Sequence, residues 1–171
     1  MPEPLVLLHG FGGTHRSWDA LRALLPAQRY RPVVACDLPG HGSRGSQRPV
    51  DWAACVEAVL ADAPPGRFVL AGYSLGGRVA QHVAVAAPER VARLVLISAS
   101  PGLADGAARA AADDALAEEL ETMTAEQFAD RWIAQPIFAG TTAGAVGPWR
   151  EDLLRNDPHD LAVALRGLTV G

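Results

Sequence analysis

Ser74 lies in Gly72-Tyr73-Ser74-Leu75-Gly76, a G-x-S-x-G run directly after the apolar stretch Phe68-Val69-Leu70-Ala71 and directly before a stripe of Leu75, Val79 and Val83. A serine between a buried strand and a helix is lifted above the sheet on a turn too sharp for flanking side chains, hence the glycines. Its hydroxyl then sits at the positive end of the helix, which suits a nucleophile or a proton-transfer group. The alternative, a serine that merely caps the helix from Leu75 to Ala87, is disfavoured by the strand and helix on either side. His9-Gly10-Phe11-Gly12-Gly13 follows the first strand and can turn a backbone N–H inward. The N–H groups of Phe11 and Leu75 are therefore expected to form a two-donor oxyanion hole.

Other chemistries are excluded or weakened by what the chain lacks. Gly10-x-Gly12-x-x-His15, with Asp37 ending the next strand, imitates a dinucleotide fingerprint, but the third glycine is missing and the serine turn would go unexplained. All 15 basic residues are arginine, which removes Schiff-base and P-loop-lysine mechanisms. Arginine offers a bidentate fork for carboxylates, so an arginine facing a pocket predicts a small anionic substrate. Cys36 and Cys55 read as packing residues, with no CxxC or HExxH to suggest a metal site, and no cofactor is implied. His15, His41 and His82 read as a loop, a turn and a helix-face residue. An order Ser74, Asp105, His159 can be written down, but order without geometry carries little weight. A net charge of −4 with no basic stripe argues against nucleic acid.

The elements that must position these residues alternate. Leu5-Val6-Leu7-Leu8, Arg31 to Cys36, Phe68 to Ala71 and Leu94-Val95-Leu96-Ile97 are apolar runs, which predicts strands of a parallel sheet buried on both faces. Trp52, Cys55, Val56, Val59 and Leu60 have helical spacing behind an Asp51 N-cap. After Pro101-Gly102 the pattern becomes helical throughout: an alanine-rich helix from Ala107 to Glu121, and a capping box at Thr124 and Gln127 ahead of Phe128 and Trp132. A loop through Gly140, Gly144 and Gly147 follows, then a last helix opened by Asp157-Pro158 with Leu161, Leu165 and Leu168. The reading is an α/β core over 1–101 and a helical lid over 102–171. With 171 residues, 49% hydrophobic and 20% charged, the composition is that of a soluble globular protein. No run approaches a membrane span and the start has no basic n-region, so a cytoplasmic protein without a membrane partner is expected. Nothing in the sequence sets an oligomeric state.

The order of His9-Gly10-Phe11, Asp37-Leu38-Pro39-Gly40-His41-Gly42 and Gly72-Tyr73-Ser74-Leu75-Gly76-Gly77-Arg78, followed by a lid, resembles the α/β-hydrolase superfamily. Gly-Tyr-Ser-Leu-Gly-Gly-Arg with Pro101-Gly102-Leu103, and Trp132-x-x-Gln135-Pro136-x-Phe138 in the lid, is more closely similar to the MenH family, the 2-succinyl-6-hydroxy-2,4-cyclohexadiene-1-carboxylate synthases of menaquinone biosynthesis. The resemblance implies a cofactor-free lyase on a hydrolase scaffold. An activated serine takes a proton, and the substrate eliminates pyruvate to form a ring diene without an acyl-enzyme. It also implies that Tyr73, Arg78 and Arg109 hold the substrate's carboxylates and that Trp132 and Phe138 face the pocket. The family arginine ahead of the last lid helix falls here on Leu153, with Arg150 and Arg155 as the nearest candidates and Arg155 preferred.

Two rivals remain: an ordinary serine hydrolase acting on an ester or carbon–carbon bond, and a non-catalytic protein retaining the serine turn alone. In α/β-hydrolases the acid and histidine follow the lid. The sequence carries no later strand, acid or histidine, so the expectation is a fragment, or a chain completed by a partner segment, with its sheet exposed after Leu94 to Ile97.

Overall fold

The computed structural model describes residues 1–102 and 106–169. Four strands, β1 (Glu3–Leu8), β2 (Tyr30–Cys36), β3 (Phe68–Tyr73) and β4 (Val91–Ile97), form one parallel sheet in the order β2-β1-β3-β4. The alternation of the strand side chains divides the core. Val6, Leu8 and Leu70 face the helices α2 (Trp52–Asp62) and α3 (Leu75–Ala86), where they pack with Cys55, Val59, Val79 and Val83. Leu5, Leu7, Val69 and Ala71 pack on Trp18, beside a short helix α1 (Asp19–Leu24) that the sequence did not signal. The Asp51 side chain accepts from Ala54 N–H at 2.7 Å, which caps α2 as expected. Cys36 and Cys55 are buried free thiols, and burial pushes each up to about 12.

Burial is not uniform across the sheet. β1 and β3 are enclosed, but Leu94, Val95, Leu96 and Ile97 of β4 are each 38–43% exposed. The expectation of burial on both faces therefore fails for β4, and the expected exposure of the sheet after Leu94 to Ile97 is what the described residues show.

The second half is helical: α4 (Gly106–Leu120), α5 (Ala125–Ile133), α6 (Ala143–Leu153) and α7 (Pro158–Gly167). These helices share a core of Leu120, Phe128, Leu153, Leu161 and Leu165, while Ala164 of α7 and Leu168 just after it reach into the core beneath the sheet. The Thr124–Gln127 capping box forms, and Asp157 caps α7 with Pro158 in its first turn. The loop expected around Gly144 and Gly147 is instead α6, with Pro148 inside it. Tertiary contacts override the poor helix propensity there, since Leu153 is fully buried and Asp152 is tied to the core. Leu103 and Asp105, which entered the family motif and the Ser-Asp-His order, lie outside the described residues.

Candidate active site

Ser74 adopts φ 51° and ψ −114°, a left-handed conformation that non-glycine residues rarely take, at the junction of β3 and α3. Its neighbours explain why the turn can close. A Cβ on Gly72 would lie 2.2 Å from Gly76 O, and one on Gly76 would lie 2.3 Å from Leu8 O. Both are backbone collisions, so glycine is required. The Ser74 N–H donates to Ile97 O at 2.9 Å, which fastens the turn to the end of β4. Strain held by surrounding structure in this way is characteristic of functional positions.

Ser74 opens onto a cavity of about 380 Å³. Tyr73, Phe11, Trp132 and Phe138 of the predicted set line it, together with His9, Ser17, Trp18, Ile97 and Trp149. The aromatic wall is continuous: Phe11 to Trp132 is 5.1 Å between ring centroids, Trp132 to Phe138 6.2 Å, and Phe138 to Trp149 4.7 Å. Leu75 is buried as the first residue of α3. Phe11 lies in the loop after β1, which runs against the serine turn: a Cβ on Gly10 would sit 3.5 Å from Ser74 Cβ. Ser17, Trp18, Ile97 and Trp149 were missed because no motif marks them: the pairing of β3 with β4 brings Ile97 to the Ser74 turn, Ser17 and Trp18 follow the loop after β1, and Trp149 arrives only through the packing of α6.

The candidate arginines stand apart from the aromatic wall. None of Arg78, Arg109 and Arg155 lines this cavity. Arg78 lies one turn into α3, and its Nε is buried with no partner among the described residues. Burial and the nearby Arg109 charge lower its pKa, while Asp113 opposes them. Arg109 is already paired through Nε with Asp113 Oδ1 at 2.7 Å, as its i, i+4 spacing on α4 allows. Arg155 is exposed and lines a separate cavity beside α6. Arg150 pairs with Asp130.

The histidines do not reach Ser74 as free bases. His9 lines the cavity, but its Nε2 accepts from Leu38 N–H at 3.0 Å and its Nδ1 donates to Gly10 O at 2.8 Å. Burial lowers its pKa, so it is neutral. His41 is fully buried against His9 and Phe11, and burial takes it down to about 3. His82 stacks on Trp52 at 4.5 Å, and His159 is exposed at the start of α7. His15 hydrogen-bonds Asp37, whose carboxyl stays well below the usual range: burial raises it, but Ser43 and His15 more than compensate with hydrogen bonds.

α6 and the turn after it are fastened to the loop that flanks Ser74. Asp152, buried on α6, accepts from Thr14 N–H at 3.0 Å, from the Thr14 hydroxyl and from Ser17 Oγ at 2.5 Å. Asn156 donates to Gly12 O at 2.7 Å and accepts from Gly42 N–H at 2.9 Å.

Known proteins are similar to this chain in sequence and fold. The alpha/beta hydrolase family matches residues 5–169. A 2-succinyl-6-hydroxy-2,4-cyclohexadiene-1-carboxylate synthase of Klebsiella pneumoniae is 34% identical over 97% of this chain and 67% of its own length. A pimeloyl-[acyl-carrier protein] methyl ester esterase of Nitrosomonas europaea is 33% identical over the same shares. The structure of MenH from S. aureus superposes with a TM-score of 0.85 at 30% identity, over 96% of this chain and 65% of that one. The chain spans about two thirds of the length of the curated relatives it matches.

Proposed function

We propose, from the premise that this chain belongs to the alpha/beta hydrolase family, that Ser74 is the reactive group of an enzyme site for a small carboxylate-bearing substrate, with pyruvate elimination of the menaquinone-pathway type as the reaction. The observation that carries the reading is the strained Ser74 turn opening onto the aromatic cavity. In the reaction Ser74 Oγ, once deprotonated, removes a proton from substrate carbon, and pyruvate leaves as the ring diene forms. The backbone N–H groups of Phe11 and Leu75 stabilise the developing oxyanion. Arg78, with a guanidinium N–H unmatched by any described residue, takes a substrate carboxylate. The base that deprotonates Ser74 is not among the described residues at the cavity, since His9 has both ring nitrogens engaged.

Ester hydrolysis is the second reading, and a specific observation favours it: the cavity is walled by aromatic and aliphatic side chains and no arginine lines it. Esterase-named relatives support it equally.

Binding and turnover separate the two. A succinyl-bearing dicarboxylate should bind the purified chain, and Arg78→Ala should weaken it roughly 10- to 100-fold, the worth of a charge-assisted hydrogen bond. A neutral ester should be indifferent to the substitution. Equal losses for both would assign Arg78 to packing, and faster wild-type turnover of neutral esters would select the esterase.

A further inference from the structure

Four of the five arginines of the helical half are neutralised: Arg109 by Asp113, Arg131 by Glu119, Arg150 by Asp130, and Arg166 by Asp114 and Glu121. Arg155 has no ion pair among the described residues. Neither does Arg16, which follows the loop after β1, and the two line one cavity of about 520 Å³ between that loop and α6. Three acids share the lining: Asp152 turns its oxygens to Thr14 and Ser17 and keeps its charge, Asp19 faces Arg22 at 3.4 Å, and Glu151 stands beside the two guanidinium groups.

Both arginines are mounted on the same buried node. The Arg16 N–H donates to Thr14 Oγ1 at 3.2 Å, and that hydroxyl donates to the Asp152 carboxylate. The Arg155 N–H donates to Asp152 O at 3.1 Å. Their backbones are thus fixed from opposite sides, so a ligand that bridges them has only the two side chains to order. Ser17 and Trp149 line this cavity and the Ser74 cavity alike, so the two adjoin.

We propose that Arg16 and Arg155 form an oxyanion site, for a phosphate or a carboxylate, next to the Ser74 cavity. Its oxyanion is either a free ion or the far end of a chain whose apolar part occupies the Ser74 cavity. The second source rests on the reading of that cavity as the substrate pocket; the anion site itself does not.

The test is calorimetric titration of the purified chain at low ionic strength with inorganic phosphate and, separately, octanoate. Saturable binding of either probe is expected, weakened at least 10-fold in the double variant Arg16→Gln, Arg155→Gln and unchanged in Arg31→Gln, an exposed arginine on β2. Both target arginines are exposed, so folding should survive, which circular dichroism checks. Phosphate binding alone identifies a free-ion site. Octanoate binding with a change in tryptophan emission, Trp149 being the shared wall, identifies a tail site. No saturable binding of either probe, or binding that the double variant leaves intact, overturns the proposal, and none of these results depends on turnover by Ser74.

Discussion

At the scale of single residues, Ser74 and Arg78 each carry a cost that the fold alone does not explain. Ser74 holds a left-handed backbone, and Ser74→Ala should abolish nearly all turnover in an active preparation while leaving the protein folded; retention of more than about a tenth of the rate would remove it from the chemistry. Arg78 keeps part of a guanidinium from water without a partner, so Arg78→Met should leave unliganded stability unchanged or raise it by up to about 1 kcal/mol, measured by thermal melting, although it weakens anion binding. A guanidinium placed for packing would show the opposite sign. His9 and His41 give a pH dependence. Both are buried and neutral with lowered pKa values, so the unfolded chain binds more protons than the folded one below about pH 6.5. Stability is therefore full above that pH and falls below it: His41 contributes a loss of about 1.4 kcal/mol per pH unit down to about pH 3, and His9 adds a loss of the same sign. Urea midpoints between pH 7.5 and pH 4.5 check this, and a flat profile would contradict the neutral assignment. G-x-S-x-G marked Ser74 from the sequence alone, and the i, i+4 spacing of Arg109 and Asp113 on α4 is an equally local signal for the pair that holds Arg109.

At the scale of elements, the junction of β3 and α3 tolerates no side chain where it crosses β1. Gly76→Ala would force a methyl group against the Leu8 carbonyl, and it should cost about 3 kcal/mol or more in chemical unfolding, because backbone rather than a flexible side chain must move. The attachment of α6 to the loop after β1 is a second junction. Asp152→Ala would strand the Thr14 N–H and two hydroxyls; a loss of about 2–3 kcal/mol is expected, with faster amide exchange at Thr14. Exchange unchanged from wild type would show that the helical half is held elsewhere. The capping box at Thr124 and the Asp51 and Asp157 caps were legible because capping is local chemistry. The helix through Gly144, Gly147 and Pro148 was not, because its stability comes from distant partners of Asp152 and Leu153.

At the scale of the whole molecule, β4 lies at one side of the sheet among the described residues with four consecutive apolar residues partly exposed, and Arg93 of that strand pairs with Glu3 at the surface. Edges without charge or proline pair readily with other strands, so Val95→Lys should reduce self-association seen by light scattering at high protein concentration; an unchanged profile would mean that the edge is not the sticky surface. The amino-acid sequence by itself determined the alternating strands and helices, the serine turn with its glycines, and the helical character of the second half, since periodicity, capping and turn sterics act over a few neighbouring residues. Only the tertiary structure decided that Trp149 walls the Ser74 cavity, that Arg78 and Arg109 stand outside it, and that Arg16 and Arg155 share another. Those facts depend on how the helical half docks on the sheet. That docking is fixed by contacts such as Asp152 to Thr14, 138 positions apart in the chain, which no local pattern encodes.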